Sequence, residues 1–115
     1  MKVLLINPPD DLHLLLGEGA KLITPFEPLG LLYVAAVAQE EGYDVSVVDA
    51  YIERLDVEGL KERIRQLRPD LVGLSSFTSN GGIVYDMGKW LKEEFPEVLV
   101  VLGNVHAGVY AEQYL

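Results

Sequence analysis

The sequence predicts a doubly wound α/β domain with an all-parallel sheet. Three observations carry this. Short β-branched or leucine-rich runs recur at Val3–Ile6, Val45–Val48, Leu71–Leu74 and Val98–Leu102, each bounded by turn residues. Stretches of helical periodicity separate them. The order β-α-β-α-β-α-β-(α) then calls for right-handed crossovers between parallel strands.

The first strand, Val3-Leu4-Leu5-Ile6, is apolar throughout, as a strand buried on both faces must be. Asn7-Pro8-Pro9 ends it, because proline lacks the N–H a ladder needs and fixes φ. The chain then passes through Asp10–Glu27, about 18 residues where 2–6 are usual for such a connection. Long loops at the carboxyl ends of strands are where open α/β sheets bind ligands, so this loop is expected to wall a cofactor site.

Helix one is expected from Pro28 to Glu41, with proline at its first position and Gly42 as its stop. Leu29, Leu32, Tyr33, Ala36 and Val37 form one face, and Leu31, Val34, Ala35 and Ala38 leave little polar surface elsewhere. Such a helix should be heavily covered, packed on the sheet and also against a second element such as the long loop or another domain, with Tyr33 in the core rather than in the site. Strand two follows as Asp44–Ala50, ending near Asp49, which reads as a strand-end cap with ribose contact as the alternative. Asp56 is placed to cap a second helix whose stripe is Val57, Leu60, Ile64 and Leu67, and Pro69 closes it. Strand three, Leu71–Ser76, turns from apolar to hydroxyl residues at the sheet's carboxyl edge. Phe77–Gly82 is a small polar loop ending in a cap, and helix three presents Ile83, Met87, Trp90, Leu91 and Phe95 before Pro96. Val98–Leu102 is strand four, and a last helix begins near Tyr110.

At 115 residues the chain is one domain. Four strands where such sheets commonly have five predict a segment cut on its C-terminal side, with an outer edge covered by a partner as the alternative. A formal net charge of −9 disfavours nucleic acid and anionic membranes as partners. No apolar run approaches the ~20 residues of a membrane span. Without cysteine there is no disulfide or thiolate metal site, and a soluble cytoplasmic domain is expected.

With strands in the order 2-1-3-4, the loops after strands one, three and four lie side by side. Their Gly, Ser, Thr, Asn and Pro residues suit close backbone approach and neutral hydrogen bonds better than acid–base chemistry. The Gly-x-Gly-x-x-Gly and Lys-Ser/Thr phosphate motifs are absent after strand one. A phosphoacceptor domain would need an aspartate where Ser75 and Ser76 stand.

Lys2–Pro9, Pro28–Ala36, Gly42–Val45 with Asp49, Pro69–Ser75 and Val101–Ala107 together resemble, in order, the amino-terminal cobalamin-binding domain of radical S-adenosylmethionine enzymes. The resemblance implies a flavodoxin-like sheet holding cobalamin across its carboxyl edge, the nucleotide tail tucked between sheet and helices. By position, Ser75 matches the serine lining the tail pocket and Gly103 the first of two glycines; Asn104 stands in place of the second. The cofactor contacts so implied are Asn7, Pro8, Pro9, Ser75, Ser76, Thr78, Gly103, Asn104 and His106, with a turn-shaping role the alternative for His106. His13 lies in Asp11-Leu12-His13-Leu14-Leu15-Leu16-Gly17, one residue longer than the Asp-x-His-x-x-Gly of cobalt-ligating corrinoid domains. It reads as a loop histidine, with cobalt ligation as the alternative. The resemblance also implies a downstream radical S-adenosylmethionine domain with a 4Fe-4S cluster, and a methyl transfer or related reaction to which this segment presents the corrinoid. The rival is a scaffold of the same fold that has lost cobalamin.

Overall fold

A computed structural model describes residues 1–9, 29–77, 80–104, 108–109 and 111–114. The elements are β1 (Lys2–Asn7), α1 (Leu29–Glu40), β2 (Asp44–Asp49), α2 (Val57–Leu67), β3 (Leu71–Ser75), α3 (Gly81–Glu94), β4 (Leu99–Gly103) and α4 (Ala111–Tyr114). The strands form one parallel sheet in the order β2-β1-β3-β4, as expected from sequence.

Register assigns the side chains to two faces. Leu4 pairs with Val72 and Ile6 with Val48 and Leu74, so these alternate residues share one face. They pack with Leu60 and Ile64 of α2 and Val84, Met87 and Leu91 of α3 into the main core. Leu60 and Ile64 are 0% exposed, and burial of each such side chain contributes about 1.5–3 kcal/mol. The other face carries Val3, Leu5, Gly73, Leu99 and Val101. There Leu5 leans across Gly73: a Cβ on that glycine would lie 2.8 Å from Leu5 Cδ2.

Helix α2 follows the sequence expectation closely. Asp56 is its N-cap, accepting the Gly59 N–H at 2.7 Å, and Arg68 closes it in the left-handed conformation before Pro69. Helix α3 starts two residues earlier than predicted and buries Val84, Met87 and Leu91. Trp90 and Phe95, expected in that core, lie at its margin. The rings meet edge to face at 5.8 Å, and the outer face of Trp90 is covered by Lys61 and Arg65.

Helix α1 overturns an expectation. It lies against β1 and β2, yet none of its residues is buried, and Tyr33, placed in the core by sequence, is 74% exposed. The sheet covers only the side of α1 that meets β1 and β2, so the apolar residues on its other sides are left without cover from the sheet. Gly42, at φ +94°, ends it as predicted. Among the described residues no helix is long and apolar enough to cross a membrane.

Candidate functional site

Parallel strands end together, so the sheet register brings Asp49, Asn7, Ser75 and Gly103 into one row along the carboxyl edge. At one end of the row the Asn7 amide donates to Asp49 Oδ1 at 3.1 Å. The same oxygen accepts the backbone N–H groups of Tyr51 at 3.1 Å and Ile52 at 3.2 Å. Asp49 is therefore a strand-end cap, the first of the two readings of this residue. It closes the turn after β2 and fixes which way the Asn7 amide faces. Its second oxygen, Oδ2, is buried and has no hydrogen-bond partner among the described residues.

The middle of the row is a stitched polar floor. Ser75, Ser76 and Asn80 are the buried polar residues of the described chain, the first two at the end of β3 and the third immediately before α3. Asn80 stands at the N-cap position of α3, but its side chain makes no cap bond. It turns back instead, accepting from Phe77 N–H at 2.8 Å and donating to the Ser75 carbonyl at 3.2 Å. Buried polar groups need partners, and the carbonyl left by the departing strand is the nearest acceptor. The Ser76 N–H reaches the Gly103 carbonyl at 2.9 Å, tying β3 to β4 one residue beyond the ladder.

Gly103 and Asn104 form the far end. Gly103 is exposed, and a Cβ there would meet nothing within 4 Å, so space lies open beside it. Asn104 adopts φ +77°, a left-handed conformation in which asparagine is among the better tolerated side chains. Its amide donates to Ser75 Oγ at 3.0 Å, closing over a serine that is only 8% exposed. On the face that Ser75 shares, Leu99 (53% exposed) and Val101 (50%) extend an apolar strip down from Gly103. Pro8 is buried and Pro9 half-buried beside Asn7.

The row is neutral apart from Asp49, as the loop composition predicts, and among the described residues no group of His, Cys, Asp or Glu could hold a metal ion. Thr78, His106 and His13 lie outside the described residues. Phe77, 41% exposed beside the buried Ser76, is a rim residue that sequence reasoning passed over. Its signal was an aromatic side chain at the start of an otherwise small polar loop. A cavity of about 1000 Å³ lies on the opposite face, between α3 and β4, over Val84, Gly88, Val100 and Leu102. It meets the row at Gly103 and Asn104 alone, because Val100 and Leu102 alternate with the residues on the Ser75 side.

The B12 binding domain family matches residues 19–115. The chain belongs to the B12-binding domain family. A protein of Pyrococcus horikoshii described as an uncharacterized methyltransferase is 34% identical over 106 residues, 92% of this chain and 22% of that protein. The anaerobic magnesium-protoporphyrin IX monomethyl ester cyclase of Rubrivivax gelatinosus is 32% identical over 119 residues, 100% of this chain and 20% of the cyclase. The cytidylyl-2-hydroxyethylphosphonate methyltransferase of Streptomyces wedmorensis is 29% identical over 132 residues, 99% and 24% respectively. The chain thus spans about a fifth of the length of the curated relatives it matches. No solved structure matches it significantly.

Proposed function

We propose that this domain binds cobalamin across the carboxyl edge of its sheet and presents the corrin ring to a radical S-adenosylmethionine domain. The observation that carries the reading is the row Asn7–Ser75–Gly103–Asn104: neutral hydrogen-bonding groups, open space at a glycine and an adjoining apolar strip. A corrinoid is a broad apolar ring fringed with neutral amides. Such a ligand asks for backbone proximity and uncharged partners more than for a charged cage. The donor set fits it.

In this reading Gly103 lets the ligand approach the backbone and Ser75 and Asn104 meet its polar groups. Asn7, held by Asp49, turns its amide oxygen away from the Asp49 bond. Leu99 and Val101 cover apolar ligand surface. When bound, cobalamin supplies a cobalt centre able to carry a methyl group; the residues of this chain orient it and shield one side from water. The methyltransferase names among the relatives favour methyl transfer as the reaction of the whole protein, and the cyclase names keep a different radical outcome in view. S-adenosylmethionine, a 4Fe-4S cluster and the downstream domain belong to this proposal, as does a cytoplasmic setting. Cobalt ligation by His13 is not part of it.

A second reading, a scaffold that has lost cobalamin, is favoured by one observation: Asn104 already occupies the Ser75 hydroxyl. Mixing the purified protein with hydroxocobalamin, removing unbound ligand by gel filtration and recording the visible spectrum separates the two. Retained corrinoid absorbance at one equivalent is expected. A folded protein that elutes colourless refutes binding and leaves the scaffold.

A further inference from the structure

Helix α1 and the half of the sheet beside it have complementary needs. A helix is about 10 Å across and neighbouring strands are ~4.8 Å apart, so one helix covers about two strands. On the face that carries Val3, Leu5, Leu99 and Val101, α1 lies over β1 and β2, where Val3 and Leu5 are buried. The β3–β4 half has no such cover among the described residues, and Leu99 and Val101 remain exposed. That half calls for a second helix with an apolar underside. Helix α1 has the converse requirement, since Leu29, Tyr33 and Val37 are exposed on sides its own sheet does not reach. Both surfaces are also uncharged. From Leu29 to Ala38 the only polar side-chain atom is the Tyr33 hydroxyl, and neither β3 nor β4 contains a charged residue. Loss of charge with an aromatic side chain near the centre is the composition of an interface core. In a chain of net charge −9, it is also the face on which two copies meet with least repulsion.

We propose that the corrinoid-free chain pairs with a second copy of itself through this face. A twofold axis parallel to the strands sets α1 of each copy over β3 and β4 of the other, with the two helices side by side between two sheets. The same surface is used by both copies, so the assembly closes at two. Each α1 is then covered by its own sheet, by the second copy's sheet and along one side by the second copy's α1. Such surroundings are what a helix apolar all round requires. The exposed apolar side chains of α1 and β4 offer roughly 600 Å² per copy, at about 60–120 Å² for each. Burying the share of both copies removes ~1,200 Å², the lower end for specific interfaces, where a micromolar dissociation constant is expected. At submicromolar concentration the chain is therefore single and this face is wet. Leu99 and Val101 also serve the corrinoid in the reading above, so corrinoid and second copy exclude one another there.

Sedimentation velocity of the purified protein without corrinoid, from about 0.5 to about 300 µM, tests the pairing. The mass should rise from 12.7 kDa toward twice that value. Val37→Lys on α1 and Leu99→Lys on β4 should each weaken pairing at least about tenfold, because the twofold axis buries each new charge twice. Both variants should keep the parent's far-UV spectrum at submicromolar concentration. Tyr85→Lys, at an exposed residue beside the cavity on the opposite face of the sheet, should pair as the parent does. A mass of 12.7 kDa at every concentration overturns the inference and leaves this face to another domain or segment. Pairing that survives Val37→Lys or Leu99→Lys, pairing lost with Tyr85→Lys, or growth beyond two copies overturns it as well. Corrinoid binding is measured separately and stands or falls by its own titration.

Discussion

Replacing Asp49 by alanine should destabilise the fold by about 2 kcal/mol, and the structure shows where that figure comes from. Asp49 Oδ1 receives the Asn7 side-chain amide and the Tyr51 N–H in part-buried surroundings, and the Ile52 N–H at the surface. Each part-buried bond contributes about 1 kcal/mol net, and an exposed N–H returned to water contributes little. Asparagine at the same position is the informative partner. It keeps an acceptor oxygen for these donors while removing the charge shared with Oδ2, which is buried and unpartnered among the described residues. A buried, unpaired charged oxygen is costly, so Asp49→Asn should lose less than about 1 kcal/mol. Urea unfolding followed by far-UV circular dichroism and by Trp90 fluorescence measures both. The reasoning fails if alanine costs less than about 0.5 kcal/mol, or if asparagine is as damaging as alanine.

Two further predictions concern the helices. Asp56→Ala removes the side-chain acceptor for Gly59 N–H and should cost about 1 kcal/mol in the same unfolding assay, with Asp56→Asn costing a few tenths at most. Tyr33→Lys alters a residue 74% exposed on α1, so its unfolding free energy should stay within about 0.5 kcal/mol of the parent; a loss above about 2 kcal/mol would mean that this face is covered in solution.

Much of the architecture was legible because strand and helix periods differ and because prolines and glycines mark their ends. The elements, the Asp56 cap and the α2 stripe follow from such local rules, and the strand order follows from the fold class that their alternation implies. What escaped was decided by distant partners. The sequence of α1 shows that it is apolar all round but not how little of it the sheet can cover. In α3 the sets Ile83–Met87–Trp90 and Val84–Met87–Leu91 are both compatible with helical spacing, and packing on Leu4, Ile6 and Val72 selects the second. At the site, strand ends flagged Asn7, Ser75 and Gly103 through their residue types and the β-to-loop transition. The bonds that make them a site, Asn7 to Asp49 and Asn104 to Ser75, join residues 42 and 29 positions apart. They exist because the parallel register aligns the strand ends. Asn80 illustrates the same limit: as an amide before a helix it looks like a cap, yet its oxygen accepts the Phe77 N–H instead of a helix N–H, while its NH2 donates to the Ser75 carbonyl.

Gly103 gives the most direct test of the central claim, that the carboxyl edge of this sheet holds a corrinoid. It ends an edge strand, its backbone is not in the left-handed region, and a built Cβ meets nothing within 4 Å, so Gly103→Phe should leave the fold and its unfolding midpoint unchanged. Titration with hydroxocobalamin, followed in the visible spectrum, should show one equivalent bound by the unaltered protein and none by the folded Gly103→Phe variant. No binding by the unaltered protein, or equal binding by both, would contradict the account.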